Sequence, residues 1–312
     1  MQPIAPTVKR MGKTMMNEVG IYLNCDKSDS VEMAAKCIRY LRGRGIQVAL
    51  LNNQMELDGD PGVHIYPKDE FYKKPNCIVV LGGDGTLLSV ARASCIYDMP
   101  LFGINLGKLG FLTEGEASNY EHLLKALCNG EFFLEKRMML SSCINRPNGE
   151  SETFLALNDV LVKNTGFRMM DIKAYAGKEG ENMIDFFRAD GLIIASPTGS
   201  TAYSLAAGGP VVAPGTDVMI VNPICPHRLH DRAYVIAAEE NITIRFDERE
   251  RDIIVSFDGQ NIIPIGARDE VVVKKAPYTA NLVRLNNVNF YDRLRKKLSD
   301  DVLSNISNKD RR

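Results

Sequence analysis

Chemistry is most concentrated in Gly82-Gly83-Asp84-Gly85-Thr86. The apolar run Cys77-Ile78-Val79-Val80-Leu81 precedes it, and Leu87, Leu88, Ala91 and Ala93 follow at helical spacing, so the order is strand, loop, helix. In open α/β sheets, ligands gather at the carboxyl ends of strands. Glycines without side chains let backbone N–H groups approach an anion, and a helix N-terminus adds a favourable dipole for phosphate. Gly82, Gly83, Gly85 and Thr86 are therefore candidate phosphate contacts. Asp84 is a carboxylate in this cradle, where repulsion demands a task such as accepting a proton or holding a metal. The plainer alternative is a glycine turn with Asp as turn former or N-cap. No G-x-G-x-x-G follows an early strand, and Gly103 to Lys108 is one residue short of a G-x-x-x-x-G-K-[ST] loop.

A second segment runs from Phe187-Arg188-Ala189-Asp190-Gly191 through an apolar strand, residues 192–195, into Ser196-Pro197-Thr198-Gly199-Ser200-Thr201-Ala202-Tyr203-Ser204. Hydroxyls, small residues and one aromatic ring suit close contact with a polar ligand. Tyr203 can stack on a base while Thr201 bonds its edge. A tightly packed, turn-rich core segment is the other reading. A third segment, Ala156-Leu157-Asn158-Asp159-Val160, places two polar side chains inside an apolar strand, which calls for partners or for a bulge or turn. His227 and His230, with Cys225 nearby, lack further ligands at zinc spacing. No G-x-S-x-G elbow is present.

The elements that must position these residues change character near Gly130. Before it, residues 19–23, 46–51, 77–81 and 100–104 read as strands. Between the first two, Ser30 is a candidate helix cap, followed by the stripe Met33, Ala34, Cys37, Ile38 and Leu41 and stopped by Gly43 and Gly45. Such alternation predicts parallel strands with helical crossovers. From Arg137 onward period-two alternation dominates, as in Ile242, Ile244 and Phe246 and in Val255 and Phe257. Residues 271–273 and 282–283 are further strands, residues 249–252 a solvated hairpin tip, residues 290–298 a helix, and residues 299–312 a polar, disordered tail. The predicted fold is an α/β N-terminal domain (1–130, Rossmann-like, parallel sheet) plus an all-β C-terminal domain (131–285, β-sandwich type). A C-terminal helix and tail (286–312) follow, the helix packing back on the N-terminal domain.

The chain has 312 residues, with 38 basic residues against 39 acidic ones and a net charge of −1. That balance argues against nucleic acid as a partner and against a polybasic membrane surface. No stretch has the 18 apolar residues of a membrane span, and no secretory signal is visible after Met1-Gln2-Pro3. Seven cysteines without a C-x-x-C pair fit reduced thiols, hence a cytoplasmic protein.

In this order the three segments resemble the NAD kinase family, over about Val19 to Leu298. Gly82-Gly83-Asp84-Gly85-Thr86 looks like its signature, shared with phosphofructokinases and with lipid kinases of the diacylglycerol and sphingosine type. More specific are Asp190-Gly191 through Tyr203 with Gly208-Gly209-Pro210, Asn158-Asp159, and Asn105-Leu106-Gly107-Lys108-Leu109-Gly110-Phe111-Leu112. Pro223 through His227 and Asp258-Gly259-Gln260 are also similar.

The resemblance implies transfer of the γ-phosphoryl of ATP to the 2′-hydroxyl of the adenosine ribose of NAD, with a divalent metal, normally Mg²⁺, accompanying ATP. It also implies a homodimer or homotetramer with ligand contacts across subunits. By matching position Asp84 becomes the proton acceptor. Asp84, Gly85, Asn158, Asp159, Arg188, Asp190, Thr201, Ala202, Tyr203, Ser204, Leu205, Ala206, Cys225 and Gln260 become NAD contacts. Many relatives have Glu where this chain has Asp159, and a small hydroxyl residue where it has Ala206. The alternatives are a lipid kinase and a non-catalytic dinucleotide-binding regulator.

Overall fold

The structure is a computed structural model that describes residues 9–10, 16–24, 28–54, 61–107, 110–285 and 290–307. Its elements in chain order begin with β1 (Lys9–Arg10), β2 (Glu18–Leu23), α1 (Ser28–Arg42), β3 (Gln47–Leu51) and β4 (Val63–Tyr66). Then come α2 (Lys68–Phe71), β5 (Cys77–Leu81), α3 (Asp84–Ser94), β6 (Pro100–Asn105), β7 (Gly115–Glu116) and α4 (Tyr120–Cys128). Strands β8 (Phe133–Asn145), β9 (Ser151–Ala156), β10 (Asp159–Asn164), β11 (Met170–Ala176), β12 (Asn182–Ala189) and β13 (Gly191–Ala195) follow, then the short helix α5 (Tyr203–Ala206). The chain continues with β14 (Val218–Ile224), β15 (Tyr234–Ala237), β16 (Ile242–Phe246), β17 (Ile253–Phe257), β18 (Asn261–Ile265), β19 (Glu270–Arg284) and α6 (Phe290–Ser307). It divides into two compact units: Met1–Leu87, Met99–Glu135 and Leu282–Arg312 form one, Leu88–Asp98 and Lys136–Asn281 the other.

In the first unit β4, β3, β2, β5 and β6 lie side by side and parallel, with Val19 opposite Val48 on one side and Cys77 on the other. The chain builds outward from β2 through β3 and β4, then adds β5 and β6 on the opposite flank. Strand order therefore reverses between β2 and β5, the point at which α/β sheets bind ligands. All five residues of β5 are buried, as its unbroken apolar run requires. Helix α1 buries Ala34, Cys37, Ile38 and Leu41 against this sheet's core and ends where Gly45 adopts φ +74°.

The second unit pairs its strands antiparallel. One sheet runs β12-β11-β16-β19 and the other β15-β14-β13-β10-β17-β18. Ile172, Phe187, Ile244 and Val271 from the first sheet share one core with Val160, Leu192, Val255 and Phe257 from the second. This is a β-sandwich, and its core is separate from the first unit's. The α/β-plus-all-β architecture is thus the one that the two hydrophobic periods demanded.

Several local expectations need correction. Ser30 does not cap α1, which begins at Ser28 and buries Ser30 in its first turn. Residues 249–252 do not tip a hairpin, because β16 and β17 belong to different sheets and the segment crosses between them. Residues 271–273 and 282–283 are parts of one 15-residue strand, β19. Helix α6 continues to Ser307, so residues 299–307 are helical and not a disordered tail. Residues 1–3, Cys25, Lys108, Leu109 and 308–312 lie outside the described residues. No helix among the described residues is long and apolar enough to cross a membrane.

Candidate active site

In the first unit, β5 delivers Gly82 to the switch point of the sheet, and α3 begins two residues later with Asp84. The glycines do different work. A Cβ on Gly82 would stand 2.4 Å from Thr86 Oγ1, so that glycine lets the turn close on its own helix. A Cβ on Gly83 would meet nothing within 4 Å, so its backbone faces open space. Gly85 is exposed in the first turn of α3. A helix N-terminus with open backbone beside it is an arrangement that suits an anion.

Asp84 has definite partners. Its Oδ2 accepts the backbone N–H of Phe111 at 2.8 Å and its Oδ1 that of Leu112 at 3.1 Å. The carboxylate lies so close over Gly110 that a Cβ there would stand 1.8 Å from Oδ1. Gly110 N–H bonds Thr113 Oγ1 at 3.1 Å, closing the turn that presents these donors. A carboxylate oxygen accepts more than one hydrogen bond, so each oxygen retains a direction for a further proton. The fixed carboxylate is thus competent as a base at the carboxyl edge of a parallel sheet.

In the second unit, Asn158 and Asp159 do not interrupt one strand. The bend at Leu157 and Asn158 separates β9, paired with β8, from β10, paired with β13 and β17. Asp258 explains how that bend is held. Its buried carboxylate accepts N–H from Leu157 (3.0 Å), Asn158 (2.7 Å) and Asp159 (3.2 Å), and Nη1 of Arg92 at 2.6 Å. The Arg92 guanidinium also bonds Oε1 of Gln260. Asp159 itself is only 5% exposed. Burial, and then the Asp258 charge, push its carboxyl up to about 7.

The carbonyl of Asn158 accepts the N–H of Ser196 at 2.8 Å, and a Cβ on Gly199 would stand 2.0 Å from it. The bend and the hydroxyl-rich run are therefore in direct contact. Much of that run is core. Ser196 Oγ bonds the carbonyl of Leu157 (2.5 Å), Ser200 Oγ bonds that of Pro197 (2.7 Å), and buried Ser204 accepts Nδ2 of Asn222 (3.3 Å). Thr201 is half-buried, with Oγ1 donating to the carbonyl of Thr198 at 3.2 Å. Tyr203, at the start of α5, is 45% exposed, and Ala202, Leu205 and Ala206 retain exposed surface around it.

Arg188, Asp190 and Cys225 form a separate group. Asp190 N–H bonds the carbonyl of Ile224 at 3.0 Å and His227 N–H that of Arg188 at 2.8 Å, which gathers them at the start of β13. Asn158 and Thr201 lie at the other end of that strand, roughly 15 Å away at about 3.4 Å per residue. Arg188 is exposed and only 3.9 Å from Asp171, a loose pairing. Exposed Cys225 adopts φ +45°. Among the described residues no group of three or more His, Cys, Asp or Glu is placed to hold a metal ion, and His227, His230 and Cys225 are no exception.

Sequence reasoning named Asp258 only within the family resemblance, without a role, and did not single out Arg92, because residues 65 or more positions from the bend carry no local signal for it. The nearest clue was Asp258-Gly259, both at positive φ in the loop between β17 and β18.

Comparisons with known proteins cover most of this chain. A family model described as the ATP-NAD kinase N-terminal domain matches residues 19–132, and one described as the ATP-NAD kinase C-terminal domain matches residues 157–285. The NAD kinase of Caldanaerobacter subterraneus subsp. tengcongensis is 39% identical over 286 residues, covering 91% of this chain and 100% of the relative. That of Thermoanaerobacter sp. strain X514 is 38% identical over 291 residues, with 91% and 100% covered. An NAD kinase from Archaeoglobus fulgidus, solved in complex with ATP, superposes with a TM-score of 0.70 at 26% identity, covering 90% of this chain and 98% of that one. Yeast NADH kinase, complexed with NADH, shares the fold with a TM-score of 0.80 at 22% identity, over 95% and 90% of the two chains.

Proposed function

This chain belongs to the NAD kinase family, and from that premise we propose that it converts NAD to NADP with ATP as the phosphoryl donor, Asp84 acting as general base. The ribose 2′-oxygen attacks the γ-phosphorus of ATP, its proton passes to Asp84, the bond from the γ-phosphorus to the β,γ-bridging oxygen breaks, and ADP leaves. Little covalent chemistry falls to the protein in such a transfer, so alignment and charge stabilisation are its contribution.

One observation carries the reading of Asp84. A carboxylate at the switch point of the parallel sheet is held by two consecutive backbone N–H groups, at the head of a helix with open glycine backbone beside it. Gly82, Gly83, Gly85 and Thr86 receive the phosphates of ATP. Asn158, Asp159, Thr201, Ala202, Tyr203, Leu205, Ala206 and Gln260 form the NAD surface, with the exposed Tyr203 ring against adenine, whereas Ser204, expected there from the sequence, is fully buried and packs on Asn222 instead. Arg188, Asp190 and Cys225 supply further contacts at the other end of β13, reached by an extended dinucleotide or from an adjoining subunit of a homodimer or homotetramer.

A divalent ion such as Mg²⁺ would be held largely by the ATP phosphates and would neutralise their charge. Free thiols at Cys37, Cys77, Cys95, Cys128, Cys143 and Cys225 are consistent with work in the cytoplasm. The relatives named above favour neither the lipid-kinase nor the regulator reading.

The purified protein with ATP, Mg²⁺ and NAD forms NADP. Asp84→Asn keeps NAD and ATP binding by calorimetry and loses about 10²–10⁴-fold in kcat, the usual worth of a positioned base. Phosphorylation of a lipid hydroxyl without NADP, or full turnover by Asp84→Asn, would overturn the assignment.

A further inference from the structure

Asp84 is fixed by a loop, and the loop is itself gripped from behind. Arg284, the last residue of β19, is 3% exposed. Its Nη2 donates to the carbonyl of Phe111 (3.3 Å) and its Nη1 to that of Leu112 (2.9 Å). Its Nε donates to Glu135 at 2.7 Å, and Nη1 lies 3.3 Å from Glu114. Glu114 in turn accepts the N–H of Leu285 (3.2 Å) and Nη2 of Arg293 on α6 (2.8 Å), and Arg293 Nη1 bonds the carbonyl of Thr113 at 3.0 Å.

The peptide between Phe111 and Leu112 matters most. Arg284 binds its carbonyl, and its N–H, from Leu112, binds Oδ1 of Asp84 at 3.1 Å. A peptide group is planar and rigid, so fixing one edge fixes the direction of the other. Hydrogen bonds in series also polarise one another, so a guanidinium on the carbonyl strengthens the N–H as a donor. A buried arginine needs acceptors in any fold. This one's acceptors include the peptide that orients the carboxylate.

We propose that Arg284 is a positioning residue for Asp84, acting through the Phe111–Leu112 peptide; the proposal rests on the reading of Asp84 as the base. Arg284 orients the N–H that holds the carboxylate, and Glu135, Glu114 and Arg293 hold Arg284 and the loop in register. Lysine at this position keeps the charge but loses the planar fork that bridges two carbonyls and a carboxylate.

The test is a cycle of Arg284→Lys, Asp84→Asn and the double variant, with kcat, KM for ATP, KM for NAD and Tm measured for each. Arg284→Lys lowers kcat by about 10- to 100-fold, the scale of a displacement near 1 Å at a reacting group, with both KM values within about twofold. In the Asp84→Asn background the same change leaves kcat where it was, because the end of the relay has gone. An equal fold-loss in both backgrounds, an unchanged kcat, or a rise in KM without loss of kcat overturns the proposal. Asp84→Asn with full turnover removes the reading of Asp84 itself, an outcome visible in the single variant. Should Arg284→Lys fail to fold, Glu135→Gln carries the test, since that side chain is partly exposed and grips Nε of Arg284. It gives a smaller loss in kcat that likewise vanishes in the Asp84→Asn background, and no loss overturns the proposal.

Discussion

Asp84 and Asp159 are both carboxylates at turns, and their surroundings set them apart. Asp84 accepts two backbone N–H groups, whereas Asp159 is buried beside the Asp258 carboxylate. The folded value for Asp159, about 7, stands above its ordinary 3.8, so the folded chain holds this proton more tightly than the unfolded chain does. Its contribution to stability is complete below about pH 4 and is lost as the pH rises to about 7. Asp159→Asn therefore matches the parent's Tm near pH 4, gains on it as the pH rises, and holds a constant lead above pH 7. A difference in Tm independent of pH would show that Asp159 does not titrate in this way. Gly110 gives a second test at this scale. Its missing Cβ is the space that Asp84 occupies, so Gly110→Ala displaces the carboxylate and lowers kcat by at least about tenfold, with the fold intact by circular dichroism. Undiminished turnover would mean that this placement of Asp84 is not needed.

The bend at residues 157–159 is the element on which the proposed NAD surface rests. Three successive N–H groups converge on Asp258, an anion-binding arrangement filled by the chain's own carboxylate, with Arg92 as its counter-charge. Asp258→Ala leaves three donors without an acceptor and Arg92 without its charge partner. Breaking one side of a buried pair typically costs about 3–5 kcal/mol, which urea denaturation will read as a lowered midpoint. Asp258→Asn costs less, because Asn tolerates the φ of +53° there and keeps a carbonyl acceptor. Equal midpoints for the two variants would deny the carboxylate its role. Legibility also varied by element. β5 and α1 were readable because burial imposes an unbroken apolar run or a helical stripe. Partly exposed β4, with its short Val-His-Ile-Tyr, offers no such run. α4 buries Leu123, Leu124 and Leu127 but spans only 9 residues, close to the length at which helix and strand patterns merge.

Across the whole molecule, two cores built on two hydrophobic periods divide the thiols into buried and accessible. Burial pushes the thiols of Cys37 up to about 12 and Cys95 up to about 11, and raises that of Cys77 further. Cys225 is exposed. Because the thiolate is the reacting species, iodoacetamide at neutral pH labels Cys225 in the native protein well before Cys37, Cys77 or Cys95, as peptide mass mapping will show. Labelling of Cys77 at the rate of Cys225 would mean that the first unit's core opens under native conditions. NAD slows the labelling of Cys225 if that residue borders the dinucleotide.

The amino-acid sequence by itself determined the α/β and all-β halves, because periods of 3.6 and 2 are local consequences of which faces are buried. It also determined the Gly82–Thr86 turn at the end of β5 and the special character of Asn158 and Asp159, since glycine clusters and polar residues in apolar runs are visible within a few positions. Tertiary structure alone decided which glycine opens toward a ligand, that Asn158 sits on a crossing between sheets, and that much of the serine-rich run packs inward. It alone brought Asp258 and Arg92 to the bend at 157–159, and Arg284 to the loop behind Asp84. Those contacts join residues 99 to 173 positions apart, and hydrogen-bond donors and acceptors so distant leave no spacing to read. Apart from the Arg92–Asp258 ion pair, the partners at the bend and in the Phe111–Leu112 peptide are backbone N–H and C=O groups, which almost every residue type carries, so only the folded chain selects which of them meet.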